Sequence, residues 1–330
     1  MSSVVVERSR KKSLLGAVFA IFILVVLIIA PKILDQSITS EWVKLFYLIT
    51  LASMWNLLAG YAGMISVGQQ AFIGLGAYGV FVFNDHGMST YESGIIATLI
   101  VGVIAIPLSF LAFRLRGGYF AIGTWVIAET VRLIVTRFPN LGAGKGRSVA
   151  HYTSAPELRN LYTYWMALGF LVFALIASFT LLRSRLGLGL QSIRDNEVAA
   201  NSIGIKVNWV KRIVYVIAAM GCAGAGSVIC VQAIGVASPN EIFGVGYSAF
   251  MIFMVLIGGL GTIEGPVIGA FIYYFTDKYF SQSGLWYLVI IGLLAIFVTL
   301  FFPKGIWGEI NARWNISLFP VSYQVVPKKE

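Results

Sequence analysis

The chain has 330 residues, 58% of them hydrophobic and only 12% charged, where a soluble domain carries roughly 45–50% and about 25%. Its formal charge of +10 would suit a nucleic-acid binder only if the cations formed a patch, and they are instead bunched between long uncharged runs. That layout excludes a secreted disulfide scaffold, a disordered chain and a soluble enzyme with one core, and it fits an all-α polytopic membrane protein.

From the N-terminus, a basic tail over residues 1–12 (Arg8, Arg10, Lys11, Lys12) precedes an apolar run over 13–30. The pattern is that of a secretory signal, but cleavage before Pro31 would put the bulky Ile28 where a small residue is needed, so the run is read as a retained span. Further runs follow at 43–59, 65–83, 93–113, 119–137, 163–182, 210–234, 246–260, 264–280 and 285–302. At roughly 17–25 residues per crossing, with two near the end shorter, they make about ten transmembrane helices. An even count puts both termini on one side. The tail, the Arg114 and Arg116 loop, the segment with Arg183, Arg185, Arg194, Lys206, Lys211 and Arg212, and the C-terminal tail 303–330 gather most of the 24 basic residues, which assigns them and both termini to the cytoplasm. The positive charge is then a topology signal, and no nucleic-acid partner is expected; membrane lipid is the expected surrounding of the transmembrane domain 13–302.

Polar residues inside the apolar runs are the first candidates for function. Ser66, Gln69 and Gln70 stand just before Gly74-Leu-Gly76, which reads either as close helix packing or as a broken helix whose freed backbone lines a cavity. Glu129 is the carboxylate near the middle of a span, with Arg132 three residues on and on the same face. Either the two form an intrahelical pair that fixes packing, or Glu129 borders a translocation path with Tyr119, Phe120 and Thr124. Cys222 and Cys230 lie about two helical turns apart on one run, too far to bridge, and His86 and His151 form no ligand cluster, so no metal site is expected.

Two connections are long, the outer 138–162 and the inner 183–209. In the inner one, Asp195 or Asn196 is a plausible N-cap, Glu197 lies in the first turn and Gly204 stops the helix. A short capped helix at the cytoplasmic face is either a solvated connector or a docking element in which Arg194 and Glu197 contact a partner. Two glycine-rich strings are rejected as nucleotide sites. Gly142 to Ser148 lacks the Gly-Lys-[Ser/Thr] end of a phosphate loop, and Gly259-Leu-Gly261-Thr-Ile-Glu-Gly265 has one residue too many for a dinucleotide fingerprint.

Glu197-Val-Ala199-Ala200 followed by Gly204 resembles the coupling-loop motif of ABC-importer permeases, Glu-Ala-Ala-x-x-x-Gly, with one extra residue after Glu. The wider string from Ser184 to Gly204 resembles the LivM-type permeases of the branched-chain amino acid ABC importer family, with Ser192 where Ala is usual. Three more segments agree in the family's order: Ser66-Val-Gly68-Gln69-Gln70-Ala-Phe72-Ile-Gly74-Leu-Gly76, then Arg116 to Thr124 with Glu129-Thr-Val-Arg132, and Gly258-Gly-Leu-Gly261-Thr-Ile-Glu264-Gly265-Pro266. A departure is Leu141-Gly-Ala-Gly-Lys145-Gly-Arg147, where the family has Thr-Gly-Gly-x-x-Gly. The resemblance implies a permease that is not itself an enzyme, moving amino acids across a bacterial inner membrane by alternating access. It implies two cytoplasmic ATPase subunits that bind ATP and Mg, a second LivH-like permease chain and a periplasmic solute-binding protein. It also implies coupling through Arg194, Asp195, Glu197, Ala199, Ala200 and Gly204, and packing or hinge roles for Gly74, Gly76, Gly258, Gly261 and Gly265. A permease for urea, short amides or another small polar solute, and a proton-coupled secondary transporter using Glu129, are the rival readings. A membrane enzyme is disfavoured, since no nucleophile has a nearby base.

Overall fold

The computed structural model describes residues 4–7, 10–147, 156–232, 237–314, 319 and 324–327, and nearly all of them are helical. In chain order the elements are β1 (Val4–Glu7), α1 (Arg10–Ile29), α2 (Gln36–Asn56), α3 (Gln70–Asp85), α4 (Thr90–Ala112), α5 (Gly118–Thr136), α6 (Pro156–Arg183), α7 (Arg185–Asp195), α8 (Glu197–Ser202), α9 (Val207–Gln232), α10 (Pro239–Ile242), α11 (Gly246–Gly258), α12 (Gly265–Phe280), α13 (Leu285–Phe301), α14 (Gly305–Trp314) and β2 (Gln324–Pro327).

Every apolar run read as a span carries a helix, and 7 helical stretches among the described residues are long and apolar enough to cross a membrane. α3 and α12, with 16 residues each, reach only about 24 Å at 1.5 Å per residue, short of a hydrocarbon core of roughly 30 Å. Both start from irregular segments, 63–69 and 259–264. The interruption considered at Gly74-Leu-Gly76 therefore lies upstream: α3 is continuous through both glycines. The strands were not foreseen. β1 and β2 pair antiparallel, from Val4 opposite Pro327 to Glu7 opposite Gln324, and join the two ends of the described chain. His151 and Arg8 lie outside the described residues.

α9 packs against α2, α3, α4 and α6, and α11 against α12. Lipid tails are as apolar as leucine, so close approach rather than hydrophobic exclusion drives such contacts. A side chain on Gly76 of α3 would overlap the backbone of Ala223 on α9, and one on Gly226 of α9 would overlap the backbone of Ile73 on α3. Aromatic side chains fill the centre, among them the fully buried Phe46, Phe72, Tyr78 and Tyr164. Ile122, Trp125 and Leu133 on α5 and Trp286, Leu293 and Leu300 on α13 are exposed. Apolar faces of that extent mark contact with lipid or with another membrane chain.

Candidate functional site

The inner connection folds as two short helices. Ser184 caps α7, its Oγ accepting the Leu186 N–H at 3.1 Å. Asn196, in extended conformation, separates α7 from α8 and caps the latter, its Oδ1 accepting the N–H groups of Val198 and Ala199 at 3.0 Å each. Of the two expected caps, Asn196 takes the role because its side chain supplies the first-turn donors with an acceptor. Gly204, with φ of 87°, ends the segment in the left-handed region.

Arg194, Asp195 and Glu197 are engaged by the chain itself. Glu197 pairs with Lys211 Nζ at 2.6 Å, tying α8 to α9. Arg194 lies beside Asp195 at 3.3 Å, and its Nη1 donates to the Gly60 carbonyl at 3.0 Å. Ala200 is buried, whereas Val198 and Ile203 are 73% and 74% exposed and Ala199 is exposed with them. What α8 presents outward is thus a small apolar knob, with Arg194 tying its segment to the end of α2 and Glu197 tying it to α9.

Arg194 sits at a junction of three segments. α2 ends in a π-helical turn, Leu57–Tyr61, whose terminal carbonyls lack the partners a continuing helix would supply, and a cation is favoured there. One turn earlier the buried Asn56 donates to the Thr262 carbonyl at 2.7 Å and accepts the Gly261 N–H at 2.8 Å. The turn from Gly258 to Gly265 joins α11 to α12, with Gly261 at φ of 75°. It is closed so tightly that a side chain on Gly258 would overlap the Gly265 backbone. Gly60 and Gly261 touch, and the Arg194 guanidinium lies beside both.

Ser66, Gln69 and Gln70 are buried and committed to the fold. Gln69 donates to Ser66 Oγ at 3.2 Å and accepts from Cys222 of α9 at 3.6 Å, and Gln70 accepts from Ser248 of α11. On α5, Thr124 is buried; its Oγ1 accepts the Val67 N–H at 3.2 Å, and Gly68 lies against its carbonyl. Phe120 points inward, whereas Tyr119 is 77% exposed. Arg132 Nε reaches both carboxylate oxygens of Glu129 at 3.0 Å, and its Nη1 donates to Asn240 of α10. The pair therefore staples α5 to α10, while nearly half of the Glu129 side chain remains exposed. At the outer loop Arg147 is held by Asp85 and by the Asn140 carbonyl, each at 2.6 Å.

Three partners escaped the sequence reading: Lys211, Asn240 and Gly60. Lys211 was visible only as a topology charge, and Asn240 and Gly60 carry no local signal. Asn56 had a usable one, since an amide within an apolar span needs a partner.

The model of the family described as branched-chain amino acid transport system, permease component, matches residues 38–299. The chain is 25% identical over 317 residues to the high-affinity branched-chain amino acid transport system permease protein LivM of Salmonella typhimurium, covering 87% of this chain and 74% of that protein. It is 24% identical over 321 residues to the probable branched-chain amino acid transport permease protein LivM of Methanocaldococcus jannaschii, covering 81% and 92%. It is also 29% identical over 237 residues to the autoinducer 2 import system permease protein LsrC of an Enterobacter species, covering 63% and 68%.

Proposed function

Because this chain belongs to the family of permease components of branched-chain amino acid transport systems, we propose that it is the membrane subunit of an ABC importer carrying branched-chain or related amino acids across a bacterial inner membrane. The observation that carries the coupling mechanism is the inner face, where α8 is capped at both ends and presents Val198, Ala199 and Ile203 outward. A solvated connector has no need of an apolar knob held by an ion pair and an arginine strut.

Two cytoplasmic ATPase subunits, which hold ATP and Mg, receive that knob in a surface groove. Their closure displaces α7 and α8, and Arg194 passes the displacement to Gly60 and the Gly258–Gly265 turn, so that α2 and α12 tilt and access alternates. A LivH-like second permease covers the exposed flank of α5 and completes the pathway. Tyr119 and Glu129 border it, while Phe120, Thr124, Ser66, Gln69 and Gln70 brace its wall from behind. A periplasmic solute-binding protein delivers cargo at the outer loop. Similarity to a protein named for autoinducer 2 import supports testing other small polar solutes, urea and short amides among them, beside leucine, isoleucine and valine.

The test is purification of the tagged chain from its native membrane in mild detergent, with uptake measured under ATP depletion and under collapse of the proton gradient. Recovery of two ATPase chains and a second permease, with ATP-dependent uptake, is expected. A lone chain whose uptake follows the proton gradient would assign it to the secondary transporters, although a carboxylate clamped by Arg132 makes a poor proton carrier.

A further inference from the structure

Most hydroxyls within the spans turn back on their own helix. Thr50 donates to the Phe46 carbonyl, Thr98 to Gly94 and Thr276 to Ile272, each at 2.8 Å, and Ser227 donates to Gly224 at 2.7 Å. Where no bulk water reaches, that bond satisfies a hydroxyl without help from a neighbour. Ser53 on α2 and Ser178 on α6 depart from it. Both are buried, at 5% and 6% exposure, and neither Oγ has a hydrogen-bond partner among the described residues.

The two hydroxyls share one cavity, lined also by Asn56, Tyr61 and Pro266. Its volume open to the centre of a water-sized sphere is about 10 Å³, the space one water molecule needs. The lining carries no charged side chain, and the Asn56 amide is already committed to Thr262 and Gly261. Space for one water, two unpaired hydroxyls and an uncharged wall fit a bridging solvent molecule and not a metal ion, which needs more oxygens around it.

We propose that this cavity is a binding site for a single water molecule, hydrogen-bonded to Ser53 Oγ and Ser178 Oγ, that joins α2 to α6 one turn before the π-helical end of α2. The site lies beside the start of α12, where α2, α6 and the Gly258–Gly265 turn converge. A direct side-chain bond fixes one distance between two helices. A bridging water re-forms its bonds as they shift, so the joint stays satisfied while α2 moves. The inference stands on the cavity and the two serines and is independent of the cargo and of ATPase docking.

Two measurements on the purified full-length chain test it. In a density map fine enough to show ordered solvent, one peak is expected within roughly 2.6–3.2 Å of both hydroxyls. In thermal unfolding, Ser53→Ala and Ser178→Ala should each lower the midpoint by a few degrees, and the double variant by less than their sum, because the second loss removes a group already deprived of its partner. Hydroxyls turned onto the Ile49 and Ala174 carbonyls with no density between them, or two neutral and additive variants, would overturn the proposal. So would a peak ringed by five or more oxygens together with a midpoint that rises with sodium, the signature of an ion. If an alanine variant does not accumulate, the wild-type map decides alone.

Discussion

Glu197 shows how a motif residue and its partner divide the work. Its carboxylate meets Lys211 at 2.6 Å with side-chain exposures of 41% and 15%, an exposed-to-intermediate pair worth on the order of 0.5–1 kcal/mol. Reversing the charge places two cations together, too small a change to unfold the spans but enough to free a six-residue helix. Glu197→Lys is expected to insert normally and to lose about fivefold in both uptake and ATPase co-purification, with recovery in the swapped pair Glu197→Lys and Lys211→Glu. Unchanged association and uptake would remove α8 from coupling. Glu129 poses the opposite question, since its partner Arg132 is on its own helix and Asn240 holds that arginine in place. If the exposed half of the carboxylate attracts a cargo ammonium, Glu129→Gln inserts normally and takes up cargo about fivefold more slowly, equivalent to roughly 1 kcal/mol. Wild-type uptake would leave the pair as a staple and nothing more.

At the scale of elements, α8 is too short to persist unaided, because helix nucleation is costly and six residues offer few internal bonds. Its two cap bonds from Asn196 are worth about 1 kcal/mol. Asn196→Ala should therefore speed amide exchange across 197–202 while leaving α9 protected, and lower uptake in step. Arg194 belongs to the junction rather than to the exposed knob. Arg194→Ala is expected to keep the ATPase subunits bound yet cut uptake at least about tenfold, and Arg194→Lys, a point donor without the planar fork, to recover part of it. Loss of association in Arg194→Ala would instead make the arginine a direct partner contact. The caps, the Gly204 stop and the apolar runs could be read from the sequence because they depend on neighbours within a turn or two. The partner of Arg194 could not, since Gly60 stands 134 residues away. Nor could the helix break be placed, because a glycine pair inside an apolar run signals interruption and close packing alike, and Gly74 and Gly76 serve packing. Ser66, Gln69 and Gln70 were visible as polar groups needing partners, but Cys222 and Ser248, which supply them, lie on distant helices.

Across the whole molecule the helices sort by how much of them the chain itself covers. Within an apolar 18-residue stretch of each span, 89% of the residues are buried for Gln36–Tyr61 and 78% for Val207–Gln232, against 22% for Gly118–Thr136 and 17% for Val289–Trp314. A tight centre with bare flanks is what a bilayer favours, since small residues and backbone proximity hold the centre and apolar side chains at the edge are already solvated by lipid. The contact of α3 with α9 should then be the least tolerant of added volume, because at Gly76 and Gly226 the obstruction is backbone and cannot rotate away. Gly76→Ala and Gly226→Ala are each expected to destabilise the protein by about 1–3 kcal/mol, the range of core overpacking. They would lower both the unfolding midpoint and the yield of monodisperse protein, with valine at either position preventing accumulation. Gly292→Ala on α13, where a new Cβ meets nothing within 4 Å, should not lower midpoint or yield, since alanine is the better helix former by roughly 1 kcal/mol, and serves as the control for helix propensity alone. If Gly76→Ala behaves like Gly292→Ala, α3 is not held against α9 by backbone proximity, and the centre of the bundle must owe its cohesion to the aromatic layer of Phe72, Tyr78 and Tyr215 instead.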